Sequence, residues 1–141
     1  MDIGTRRITS DIFQLATLIL FQNPVQWIAV TPNNLEDAPQ ICIDFLRSVP
    51  TTWDETRFVA GYPGKYAVLA RRHGTKWYLA GINATGETLK LDVELPMFAG
   101  KTVSMYTDGK SMEATLSQYA VKADGKVTLS IKPQGATMLV R

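Results

Sequence analysis

KYAVLARRHGTKWYLAGIN occupies residues 65–83, and its apolar and polar side chains change places with a period near two until His73-Gly74 interrupts them. Strand side chains point alternately to opposite faces, and glycine supplies the backbone freedom that a tight hairpin needs. The stretch therefore predicts two antiparallel strands, over 65–71 and 76–82, joined through Arg72-His73-Gly74. Alternation groups Trp77 with Leu79 and Tyr78 with Ala80, so one of the two rings belongs to the core.

The same period recurs downstream, punctuated by turn residues. Over 88–95, Leu89, Leu91, Val93 and Leu95 face one way while Thr88, Lys90, Asp92 and Glu94 face the other, giving one dry and one wet face. Pro96 to Gly100 breaks the pattern, and 101–106, 118–121, 126–131 and 136–140 predict further strands around turns at Thr107-Asp108-Gly109-Lys110 and Ala123-Asp124-Gly125. Seven or eight short antiparallel strands cover their apolar faces by folding into two packed sheets. The expected fold is mainly β, a two-sheet antiparallel β-sandwich preceded by two α-helices.

Those helices are read upstream of Trp53, where the period lengthens. Ile12, Leu15, Ala16, Ile19 and Leu20 follow the capping candidates Thr9, Ser10 and Asp11 and predict a helix over 11–22, interrupted by Pro24. The short apolar stretch 25–30 reads as a further helical turn. Beyond Thr31-Pro32-Asn33-Asn34, the stripe Ala38, Ile41, Cys42, Phe45 and Leu46 predicts a second helix over 35–49, with Asp44 and Arg47 toward water and a stop at Pro50. The first helix is apolar on most sides, so it is expected to lie on the sandwich or against a second chain.

Composition narrows the function. A chain of 141 residues buries one sizeable core without needing a disulfide or a metal. Cys42 stands alone in an apolar run and reads as a buried thiol. The net charge of +2 comes from 15 basic and 13 acidic residues. Arg6-Arg7 and Arg71-Arg72 are too sparse for a nucleic-acid track. Residues 12–21, broken by Gln14 and Thr17, fall short of the roughly 20 apolar residues that cross a bilayer. The start has no apolar h-region of a signal peptide, so a signal for export would lie outside these residues.

Trp53-Asp54-Glu55-Thr56-Arg57 packs acids, a base and a ring as an active site does. Adjacent Asp54 and Glu55 point to opposite faces of an extended segment, and a Glu55–Arg57 pair is an ordinary surface contact. A self-contained hydrolase using them with Asp92 or Glu94 needs two carboxyls roughly 5–9 Å apart across an open cleft, which routine sheet does not provide. His73 has no second histidine or cysteine to complete a zinc site, and no serine sits in a nucleophile elbow. Gly61-Tyr62-Pro63-Gly64 reads as a turn, and Gly81 as a bulge or a close backbone approach. No catalytic, cofactor-binding or metal residue is assigned. Tyr62, Tyr66, Trp77 and Tyr78 are the candidate carbohydrate contacts, since exposed rings stack on sugars. Asn83-Ala84-Thr85 matches a glycosylation sequon.

The run Val49-Pro50-Thr51-Thr52-Trp53-Asp54-Glu55-Thr56-Arg57, with Gly61-Tyr62-Pro63-Gly64-Lys65-Tyr66, Ala70-Arg71-Arg72 and Lys76-Trp77-Tyr78-Leu79-Ala80-Gly81-Ile82-Asn83, resembles the end of a glycoside hydrolase family 97 protein. Leu15 to Phe21, Asn23-Pro24-Val25-Gln26 and Thr31-Pro32-Asn33-Asn34 resemble the last helices of that family's (β/α)8 barrel. The resemblance implies a helical segment over 1–50 and a C-terminal β-sandwich over 51–141 with an oligomerisation role. It implies calcium-dependent α-glucosidase or α-galactosidase activity for the full-length enzymes, whose catalytic and calcium-binding residues lie upstream of anything matched here. It is compatible with a periplasmic or secreted location for a bacterial parent. The expected function is thus a noncatalytic scaffold and oligomerisation domain, with a homo-oligomer through the N-terminal helices, no nucleic-acid or membrane partner, and no cofactor in this chain. A carbohydrate-binding module using exposed aromatics is the alternative.

Overall fold

The computed structural model describes residues 7–29 and 31–141. Met1 to Arg6, including half of the Arg6-Arg7 pair, and Val30 lie outside the described residues. Three short helices, α1 (Asp11–Leu20), α2 (Asn34–Asp37) and α3 (Gln40–Ser48), precede the strands β1 (Glu55–Tyr62), β2 (Tyr66–His73), β3 (Lys76–Asn83), β4 (Leu89–Glu94), β5 (Thr102–Asp108), β6 (Ala114–Ala120), β7 (Lys126–Ile131) and β8 (Ala136–Val140).

The expected two packed antiparallel sheets are present and unequal in size. The larger runs β1-β2-β3-β8-β5-β6, and β4 pairs with β7 in the smaller. Alternation along β3 explains the layering. Tyr78 and Ala80 face a core shared with α1 and Phe45, whereas Leu79 faces a second core containing Leu129, Ile131 and Phe98. The larger sheet is therefore a middle layer, with helices on one face and the β4-β7 ribbon on the other. Gly81 permits the ribbon's approach, because a Cβ there would lie 3.0 Å from Ile131 Cδ1 and 3.2 Å from Val68 Cγ2. Its register with β2 is continuous, so the bulge alternative is absent.

Serine at position 10 caps α1 by accepting the Phe13 N–H at 3.0 Å. The helix ends at Leu20, two residues earlier than expected, and Phe21 is already extended. The stretch 25–29 is not helical. Proline before it and the Asn23 side chain, which accepts the Val25 N–H at 2.9 Å, hold a turn instead. The single helix expected over 35–49 is split, because Ala38 is extended and Pro39 stands at the cap of α3. Proline disfavours the helical conformation in the residue before it.

An unexpected edge strand, β1, pairs with β2. Its charged start and the register shift between Phe58 and Ala60 erase a period-two pattern. Pro63 and Gly64 occupy the middle of the β1-β2 turn, which is closed by the Lys65 N–H on Tyr62 O at 3.0 Å, with Gly64 at φ 74°. Strand β6 begins four residues before the expected segment. Among the described residues, no helix is long and apolar enough to cross a membrane.

Candidate functional site

The stretch around Trp53 converges on Arg71, which projects from β2 toward the helices and is only 5% exposed. Its guanidinium donates to Thr56 Oγ1, Ile19 O and Phe21 O, each at 2.9 Å, and to Gln22 Oε1 at 3.4 Å. It also lies 5.0 Å from the Trp53 ring centroid, and Trp53 meets Tyr78 edge-on at 5.3 Å. The last carbonyls of a helix have no partner within it and carry the negative end of its dipole. Arg71 answers both needs, joining the end of α1 to β1 and to the Trp53 ring. Burial lowers its pKa from the ordinary value.

The acids beside it are engaged locally. Asp54 Oδ2 accepts the Gly74 N–H at 2.7 Å. Glu55 accepts from Arg57 at 2.6 Å and from Arg72 at 3.4 Å, and the hydrogen bond from Arg57 is the chief cause holding its pKa below the ordinary carboxylate value. His73 Nδ1 stands 2.8 Å from Thr52 O. On the ribbon, Asp92 accepts the Thr128 hydroxyl at 2.6 Å, and Glu94 is exposed.

The four candidate rings do not form one platform. Tyr62 is exposed and sits opposite Tyr66 at the tip of the β1-β2 hairpin, with Lys65 Nζ 4.9 Å from its centroid. Tyr66 and Trp77 are half-buried. In the β2-β3 register Tyr66 lies opposite Asn83, which puts it six positions from Trp77, about 20 Å along a strand. Trp77 is covered by the Arg57 guanidinium at 4.9 Å. Tyr78 is 3% exposed on the opposite face, under the helices.

Sequence reasoning did not single out two buried polar residues. For Arg71 the available signal was the pair Arg71-Arg72, since adjacent strand residues face opposite sides of a sheet and the two guanidiniums must part. The other is Asn83 of the sequon. It is fully buried, and its Nδ2 donates to Glu87 O at 2.7 Å, Ile131 O at 3.1 Å and Lys132 O at 3.2 Å. That amide tethers the ends of β3 and β7 and is inaccessible to a glycosylating enzyme in the folded chain. Asp108, at the end of β5, accepts the Ala136 N–H at 2.8 Å. Burial raises its pKa, with the Ser10 side chain and the Ala136 N–H acting in the opposite direction.

A concavity of about 650 Å3 lies between α1, α3 and the connecting segment, and its walls include Leu15, Leu18, Trp27, Ile28, Ile43 and Leu46. Cys42 borders it as a buried thiol, pushed up to about 11 by burial. Among the described residues no group of three or more His, Cys, Asp or Glu side chains is placed to hold a metal ion.

These features define a β-sandwich with a helical layer fastened to its larger sheet. Residues 52–140 match the family described as "Glycosyl-hydrolase 97 C-terminal, oligomerisation", and the chain belongs to that family. The solved structure of a β-arabinopyranosidase is similar at 59% identity and a TM-score of 0.97, over 99% of this chain and 22% of that one. A probable retaining α-galactosidase of Streptomyces bingchenggensis is 37% identical over 101 residues, 71% of this chain and 16% of that protein. The retaining α-galactosidase of Bacteroides thetaiotaomicron is 29% identical over 133 residues, 89% of this chain and 20% of that protein. The chain thus spans about a fifth of the length of these relatives.

Proposed function

We propose that this chain is the noncatalytic C-terminal scaffold and assembly module of a longer family 97 glycoside hydrolase, with residues 1–50 as a helical lead-in and 51–141 as the sandwich. The observation that carries this reading is the engagement of the suspected acids. Asp54, Glu55 and Asp92 each accept a hydrogen bond from a neighbouring strand or turn. A glycosidase needs two carboxyls aimed at one bond across a cleft, whereas Asp54 and Glu55 are turned onto Arg72 and Asp92 onto Thr128.

The apolar side of α1 lies on its own sheet, with Ile12, Ala16 and Ile19 fully buried. Exposed apolar residues flank it, Ile8 before and Phe21, Val25, Trp27, Ile28 and Leu35 after. We assign that patch to contact with the remainder of the longer enzyme, which moves self-association away from the helices. The carbohydrate-binding alternative gains no support from the rings, of which Tyr62 alone is exposed.

The test is a hydrolase assay of this chain with calcium on α-galactoside, β-arabinopyranoside and α-glucoside reporters, calibrated against a full-length relative. No turnover is expected. Turnover abolished by Asp54→Asn or Glu55→Gln would overturn the reading.

A further inference from the structure

The larger sheet has two free edges of opposite character. At one edge, β1 carries Glu55 and Arg57 and breaks register between Phe58 and Ala60. Charge and bulges are the devices that keep an edge strand from pairing with another chain. The ribbon is guarded similarly, with Lys90, Asp92 and Glu94 along β4, Lys126 at the start of β7 and Lys132 just beyond its end.

At the other edge, β6 reads Ala-Thr-Leu-Ser-Gln-Tyr-Ala over Ala114–Ala120, with no charged residue and no proline. It pairs with β5 over its whole length without a register shift. Among the described residues, none outside β5 makes a backbone hydrogen bond to it. Its side chains bond inward, Thr115 Oγ1 donating to Thr107 O at 2.8 Å and Gln118 Nε2 to Ser104 Oγ at 3.2 Å. Leu116 remains 43% exposed. The outward row of N–H and C=O groups is thus a regular, uncharged template seven residues long.

We infer that β6 pairs antiparallel with β6 of a second copy of this chain across a two-fold axis, joining two larger sheets into one continuous sheet. This rests on the assembly reading above and on the family's description as an oligomerisation domain. The sequence of β6 suits self-pairing. A register centred on Ser117 sets Ser117 against its own copy, Leu116 against Gln118, Thr115 against Tyr119 and Ala114 against Ala120. No like charges meet, and each partner offers the same patch, as a two-fold contact requires. The same operation at β1 would stack Glu55 and Arg57 around a bulged ladder.

The test measures the molar mass of the full 141-residue chain by sedimentation equilibrium over a micromolar concentration series. The wild type should be a dimer. Ser117→Lys should weaken dimerisation by about tenfold or more, because lysine on an edge opposes pairing. Its circular dichroism should be unchanged. Mixing Ser117→Lys with Ser117→Glu should restore a dimer containing one of each, an outcome that damaged folding cannot produce. Phe58→Lys, at an exposed position on β1, should leave the dimer intact. A dimer that persists in Ser117→Lys, or one dissolved by Trp27→Ser instead, overturns the edge pairing while leaving the assembly reading standing. A monomeric wild type overturns both, and hydrolysis by the chain overturns only the noncatalytic assignment.

Discussion

Replacing Arg71 by methionine keeps an unbranched apolar stem and removes the guanidinium from four acceptors and from the Trp53 ring. Phe21 is largely exposed, so its carbonyl can recover a water, but Ile19 is fully buried and its carbonyl loses its partner outright. A stranded buried acceptor costs about 1–3 kcal/mol. Loss of a cation at a helix C-terminus adds about 0.3–1 kcal/mol, and loss of the cation–π contact about 0.5–2 kcal/mol. Together they place the destabilisation near 4 kcal/mol, or about 15 °C in Tm for a chain of this size. Calorimetry and urea unfolding measure it. Hydrogen exchange locates it, because amides of α1 should lose protection before those of β5 and β8. Arg71→Lys should recover part of the loss through its charge but not its planar, many-toothed geometry. A Tm within about 3 °C of wild type, or exchange that rises evenly over the chain, would refute the fastening role.

Gly81→Ala should destabilise by about 1–3 kcal/mol in urea unfolding, since the new methyl meets Ile131 and Val68 between the sheets. Cys42 should resist an aromatic disulfide reagent at pH 8 until the chain unfolds, because its thiol is buried and titrates near 11. For Asp108 the folded carboxyl holds its proton to higher pH than the unfolded one. The native state therefore binds more protons in the window just above the ordinary carboxylate value, and stability falls as pH rises through it. Asp108→Asn should remove that dependence. Its stability relative to wild type should be higher at pH 7 than at pH 3, as read from paired denaturation curves.

The alternating segments were legible because burial on one face leaves a period that a sequence displays directly. Over β4 the expected assignment of Val93 and Leu95 to the core and Lys90, Asp92 and Glu94 to water is what the structure contains. Strand β1 was not legible, since an edge strand need not bury alternate residues and its bulge interrupts the alternation. Pro39 carried a local signal against one continuous helix, and the longer apolar stripe around it obscured that signal. In the 53–57 stretch, adjacency predicted that Asp54 and Glu55 face apart, yet the bend at Asp54 brings both carboxylates to Arg72, at 3.8 and 3.4 Å. The importance of Arg71 depended on a contact 50 residues away, with the Phe21 carbonyl, and no local pattern specifies such a partner.

Strand β8 follows every other strand of the larger sheet in sequence, yet it lies between β3 and β5 in the middle of that sheet. During synthesis, β1-β2-β3 and β5-β6 can form as hairpin-linked pieces, but their central neighbour emerges after both. Until it does, each piece presents a bare inner border and half-covered apolar faces to the cell. Assembly of the sheet is therefore a closing event that waits for Ala136 to Val140, and loss of those few residues would leave two unjoined halves in place of a slightly shortened one.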